Sequence, residues 1–179
     1  MTTDPSFGDT GTALRSEQLD LMCRHAYRSI LPAVVAALVI VWIAWESTPA
    51  WLTLPLAIAY VALSVVRTVF ARRTLRDPRR DVQVGLRFFT GLAVATGLCV
   101  GLISVLLFPY LDLTGRSILT VIQVGLAAGG VATTAGYRPA FMVAAPSNLI
   151  PLSLDWLVWG EGKSMILALL LPLLGARRR

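Results

Sequence analysis

FFTGLAVATGLCVGLISVLLFPYL, residues 88–111, runs from Arg87 to Asp112 without one charged side chain. Lipid offers the backbone no hydrogen-bonding partner, so a crossing segment must satisfy its own N–H and C=O groups, and a helix of about 20 apolar residues does so. This stretch is long enough, and its small residues Ala93, Gly97 and Gly101 fall four apart. It predicts a membrane-spanning helix that packs closely against a neighbour.

Further charge-free runs extend from it in both directions: 29–45 and 49–66 before it, 117–137, 139–159 and 164–176 after it. The chain is therefore read as all-α and polytopic, with six transmembrane helices in a domain spanning 29–176. The sixth run is short: its 13 positions cover about 20 Å, against a hydrocarbon core of roughly 30 Å. Ahead of the first run, Leu19, Met22, Cys23, Ala26, Tyr27 and Ile30 recur at helical spacing, while Arg24 and Arg28 fall elsewhere. That pattern predicts an amphipathic helix over 16–28, lying at the membrane interface. Residues 1–15 are small, polar and broken by Pro5, Gly8 and Gly11, which predicts a disordered tail.

Composition agrees with a lipid environment. Of the 179 residues 56% are hydrophobic and 15% charged, outside the usual soluble balance. The net charge of +6 does not indicate nucleic acid, because the arginines border apolar runs and do not alternate with exposed aromatics. Basic residues near helix ends are retained in the cytoplasm. With the amino terminus inside, every Lys and Arg except Arg116 and Lys163 falls on the cytoplasmic side, including Arg72, Arg73, Arg76, Arg79 and Arg80 in one basic loop. Trp42, Trp45, Trp51, Tyr110, Trp156 and Trp159 then gather at the outer interface, where amphipathic rings are favoured. Both ends are cytoplasmic in this reading, with 177–179 as a basic terminus in a bacterial inner membrane. The chain stops at ARRR, where a cytoplasmic output domain would ordinarily attach, which suggests a truncated gene product.

No arrangement in the sequence points to catalysis or to a cofactor. Cys23 and Cys99 are read as free thiols, and His25 stands alone without acids or cysteines at ligand spacing, so no metal site is expected. A phosphate-cradling GxxxxGK[ST] loop is absent. The residues that stand out lie in 139–159, where Pro146 and Pro151 interrupt the hydrogen-bond ladder and predict a kinked or partly unwound helix. Ser147, Asn148 and Asp155 are polar at or near membrane depth. With the two prolines they form the candidate ligand or signal pocket, Asp155 having Arg116 or Lys163 as prospective partners. The plainer account has Ser147 and Asn148 bonding the carbonyls freed by Pro146, and Asp155 solvated among headgroups. The small residues Ala93, Gly97, Gly101, Gly125 and Gly129 are read as intramolecular packing positions, with a homodimer face as the alternative.

AGYRPAFMVAAPSNLIPLSL (135–154), the glycine-rich run before it, LLFPYLDL (106–113) and the entry EQLDLMCRHAYRSILPA (17–33) together resemble the multi-helix membrane sensor regions ahead of bacterial GGDEF diguanylate cyclases and some sensor histidine kinases. The likeness extends over residues 19–174 through a loose pattern of Pro, Gly and aromatic positions. It implies a sensory input module whose partners are the bilayer and a cytoplasmic cyclase or kinase output domain, the latter missing from this sequence. A small secondary transporter or a membrane accessory subunit is the competing expectation.

Overall fold

The computed structural model describes residues 16–26, 29–76, 81–134 and 137–159. Among them the chain is entirely helical, without strands. The helices are α1 (Ser16–Ala26), α2 (Ile30–Ala44), α3 (Ala50–Arg76), α4 (Val82–Leu107), α5 (Leu113–Thr134) and α6 (Arg138–Trp159), with a 3-10 turn, Phe108–Tyr110, after α4.

Caps and charges set the helix limits, and these differ from the ends of the apolar runs. α4 begins at Val82 because the Asp81 carboxylate accepts from the N–H groups of Gln83 and Val84, at 2.8 and 3.3 Å. α5 begins at Leu113 beneath Asp112, whose Oδ1 accepts from Gly115 N at 2.8 Å. α3 continues well past the apolar limit at 66 and ends on Arg73 and Arg76, whose positive charge suits the carbonyl end of a helix. Arg72, Arg73 and Arg76 therefore lie on α3 and not in a loop, while Arg79 and Arg80 fall outside the described residues. A charge-free run measures the hydrocarbon thickness, whereas a helix continues into the headgroup region as far as its caps allow.

α6 corrects the unwinding expected of it. It is helical throughout from Arg138 to Trp159, passing Pro146 and Pro151 without an unwound segment. Pro151 has no N–H to offer the Ser147 carbonyl one turn back. That carbonyl instead faces α4 so closely that a Cβ on Gly101 would lie 2.9 Å from it. The helix thus continues where its own ladder is interrupted, with the freed carbonyl set against a glycine-surfaced neighbour.

Two apolar clusters hold the bundle. One joins Ala33, Ala37, Ile40 and Ala44 of α2 to Tyr60 of α3, Val100 and Ile103 of α4, Leu119 of α5, and Leu152 and Trp156 of α6. The second docks α1: Leu19, Met22, Cys23 and Ala26 are buried against Ala71, Leu86, Phe89 and Ala140. The apolar stripe read from the sequence thus meets the protein's own helices instead of the headgroup layer. Gly85 allows the approach, since a Cβ there would come within 2.9 Å of Leu19.

The distribution of size and polarity is the reverse of a water-soluble domain. Alanines line the buried face of α2, while Leu31 and Trp42 on the same helix are 70% and 74% exposed. Inside are Thr53, Ser64, Thr68, Ser104, Gln123, Asn148 and Asp155. In water such an exterior is an aggregation surface, whereas hydrocarbon suits it and helix contacts through small and polar groups. Two described helices, Ala50–Arg76 and Val82–Tyr110, are long and apolar enough to cross a membrane; the α1–α2 pair, bent by 44°, makes three if it is one broken span. That is fewer than the six expected. α2 has 15 residues and covers only about 22 Å. α5 and α6 interrupt their apolar runs with Arg116, Gln123, Asn148 and Asp155, and 164–176 lies outside the described residues.

Candidate functional site: a cavity among the helices

With no water to bond, a hydroxyl in an apolar helix is most simply satisfied by the carbonyl one turn back. The bundle uses this repeatedly: Ser64 Oγ donates to Tyr60 O at 3.0 Å, Thr68 Oγ1 to Ser64 O at 2.8 Å, and Thr96 Oγ1 to Leu92 O at 2.8 Å. Ser147 Oγ donates to Ala144 O at 2.8 Å, and hence not to the carbonyl freed by Pro146.

Longer side chains reach between helices and tie α4, α5 and α6 together. At the end marked by Trp159, Ser104 Oγ of α4 donates to Asp155 Oδ2 of α6, and Trp156 Nε1 donates to Thr120 Oγ1 of α5 at 2.8 Å. The Trp156 ring meets Phe108 edge-on with centroids 5.2 Å apart. Arg116, read as a prospective partner of Asp155, bonds two carbonyls: Phe108 O at 3.1 Å and Trp159 O at 2.9 Å. Its guanidinium also lies over the Phe108 ring, 5.2 Å from the centroid. Asp155 is thus held by Ser104 and is 6% exposed. Asp155 is thereby enclosed by protein in place of being solvated at its surface. Lys163 falls outside the described residues.

Deeper in the bundle two amides form a relay with a gap at each step. Gln123 Nε2 donates to Val100 O at 3.0 Å, and Asn148 Nδ2 donates to Gln123 O at 3.2 Å. Both amide oxygens, Gln123 Oε1 and Asn148 Oδ1, are buried and without a hydrogen-bond partner among the described residues. An unpartnered buried acceptor costs about 1–3 kcal/mol. Asn148 is 4% exposed and lines a cavity of about 300 Å³ to which every described helix contributes. The lining runs from exposed His25 at the end of α1, past Ser29 and Arg67, to Tyr60, Val100 and Asn148. Gly125, Gly129 and Gly130 of α5 form much of one wall, and a Cβ added at any of them would meet nothing within 4 Å. The walls are mostly apolar, with a few convergent polar groups, as ligand cavities tend to be.

Of the pocket residues read from the sequence, Asn148 alone borders this cavity. Ser147 and Pro151 face Gly97 and Gly101 in the α4–α6 contact, Pro146 is exposed, and Asp155 belongs to the Ser104 cluster. The glycines divide in the same way. Gly97 and Gly101 are covered by α6 of the same chain, Gly97 also bordering the cavity, and Ala93, Gly125 and Gly129 line the cavity as well. Tyr60, Ser64, Ser104 and Gln123 were not singled out from the sequence. Gln123, an amide within TVIQVGLAA, carried the same signal as Asn148 and was open to the same argument. Among the described residues no group of His, Cys, Asp and Glu suited to a metal is present, and neither cysteine forms a disulfide. Comparison of the chain with protein-family models, with curated proteins and with solved structures found no match.

Proposed function

We propose that this chain is a membrane-embedded sensory input module of a bacterial signalling system, of the cyclic di-GMP or two-component type that its sequence resembles. In this reading it is a six-span protein of the inner membrane with both termini cytoplasmic. The observation that carries it is the cavity, where a buried Asn148 oxygen has no donor among the described residues, in a bundle many of whose hydroxyls bond the carbonyl one turn back. A site completed only by a ligand is a means of shifting a helix bundle between two packings, because the ligand's differential affinity sets the size of the shift. The two contact types support such a shift: α4 and α6 are locked by Gly97 and Gly101, while the α5 wall is loose around Gly125 and Gly129.

The test is a deletion strain complemented with the wild-type gene or with Gly129→Leu, which adds bulk at a glycine that lines the cavity. Cellular cyclic di-GMP and the phosphorylation of cognate regulators are measured. A signalling level restored by the wild type and not by the filled variant supports the reading. Equal complementation by both overturns it. The buried Asp155–Ser104 pair favours one rival, a small secondary transporter, since intramembrane acids mark ion pathways. Proton- or sodium-driven solute uptake in proteoliposomes, lost in Asp155→Asn, would establish that rival.

A further inference from the structure

We infer that the exposed face of α4 holds one anionic phospholipid, with its phosphate at the Arg87 guanidinium and one acyl chain lying over Gly91. A bilayer around α4 is all that this site requires, so it stands independently of the sensory cavity.

Shape gives the chain its place. Gly85, Leu86, Phe89 and Ala93 of α4 are buried, whereas Val84, Arg87, Phe88 and Gly91 are exposed on the opposite face. Among the described residues these four and Leu92 line a depression of about 530 Å³. Its floor is Gly91, where an added Cβ would meet nothing within 4 Å. One wall is Phe88, whose ring is held against Phe70 of α3 with centroids 4.1 Å apart. A dent floored by glycine and walled by an aromatic ring accepts a hydrocarbon chain. The same face continues through Leu98 and Leu102, both exposed and apolar. From Arg87 to Leu98 is about 16 Å along the axis, the depth of one leaflet of a roughly 30 Å core.

Charge gives the headgroup. Arg87 is the last charged position before the apolar run, and no hydrogen bond or ion pair engages its side chain among the described residues. Asp81, the nearest acid along the chain, caps α4 by accepting from the N–H groups of Gln83 and Val84. Arg73 and Arg76 end α3 at the same end of the bundle and add to the positive field there. A guanidinium on a flexible stem reaches from the edge of the hydrocarbon to the phosphate level and meets the phosphate oxygens with paired N–H donors. A zwitterionic lipid brings its own cation to that phosphate, so this end of the bundle favours a lipid of net negative charge.

The experiment titrates the full chain in detergent with phosphatidylglycerol or phosphatidylcholine and follows bound lipid by native mass spectrometry. One phosphatidylglycerol is expected to bind about tenfold more tightly than phosphatidylcholine, and Arg87→Gln to weaken it by about tenfold, as befits a lost charge-assisted bond. Gly91→Leu, whose side chain fills the dent, should weaken it similarly without lowering the unfolding temperature. Arg76→Gln removes an exposed cation at the same end but outside the depression, and should leave the affinity within about twofold. Equal losses in Arg76→Gln and Arg87→Gln mean a diffuse attraction to the basic end, and equal affinity for the two lipids means that charge does not select; either overturns the inference. So does displacement of the lipid by glycerol 3-phosphate at equal concentration, which leaves the chain over Gly91 without a role. A lower unfolding temperature in Gly91→Leu overturns it as well, since protein and not lipid would then cover the dent. Each of these failures leaves the cavity at Asn148 and the sensory reading as they stand.

Discussion

Gly97 and Gly101 differ from Gly125 and Gly129 in what surrounds a missing methyl group. At Gly101 a Cβ would lie 2.8 Å from Pro151 Cγ and 2.9 Å from the Ser147 carbonyl oxygen, part of a backbone with no room to retreat. Gly101→Ala is therefore expected to destabilise the bundle by about 1–3 kcal/mol, the usual range for overpacking. Gly125→Ala, with nothing in the way, should be neutral or stabilising by up to about 1 kcal/mol through helix propensity. Thermal unfolding of the two variants in the same detergent checks the pair, and equal effects would contradict the packing described. The Asp155–Ser104 contact yields a second contrast. Ser104→Ala removes the carboxyl group's donor and should cost about 1–3 kcal/mol. Asp155→Asn keeps an acceptor for the serine hydroxyl and should cost less, in the same assay.

The helices as units show why apolar runs and folded elements are not the same length. α1 is the informative case: its stripe of Leu19, Met22, Cys23 and Ala26 has the spacing of an interfacial helix, yet every one of these side chains is covered by protein. Periodicity shows that a face is apolar and does not show what covers it. Leu19→Ala should accordingly cost about 2–5 kcal/mol, the range for a fully buried leucine, and should expose α1 to added protease. Leu21→Ala, at a position 47% exposed, should have little effect on either measurement. If α1 instead lay flat in the headgroups, vesicle binding of a 16–28 peptide would fall with Leu19→Ala while the unfolding temperature of the full chain stayed unchanged. α6 makes the complementary point, since its two prolines predict disruption only for a helix considered alone. Against Gly101 the freed Ser147 carbonyl finds a close neighbour and the helix continues.

For the molecule as a whole, the exposed belt of Leu31, Leu38, Trp42, Trp51 and Ile58 around a lining of alanines and hydroxyls is what a hydrocarbon solvent selects. α3 extends about 40 Å over its 27 residues, longer than the roughly 30 Å core, which is enough for its ends to emerge on opposite sides of a bilayer. A cysteine introduced at Glu46 is expected to react with a membrane-impermeant maleimide in intact cells, and one at Arg76 only after lysis. The reverse pattern would invert the topology proposed. Retention of the protein in the membrane fraction after alkaline carbonate washing is the accompanying expectation. Release into the supernatant would count against any spanning helix.

Helical class and an apolar exterior are both readable along the chain, because each depends on local composition or on spacing within one helix turn. Asn148 was recognisable in this way as a polar group in an apolar run. Which atom of Asn148 goes without a donor, which glycines are covered and which open, and the association of Tyr60, Arg67 and Asn148 around one cavity depend on how helices far apart in sequence are placed side by side. A hydrogen bond from Asn148 to Gln123, 25 positions away, has no trace in the neighbours of either residue. Only assembly of the bundle reveals it, since the energy of a buried polar group is set by the partner across the interface and not by the residues beside it in the chain.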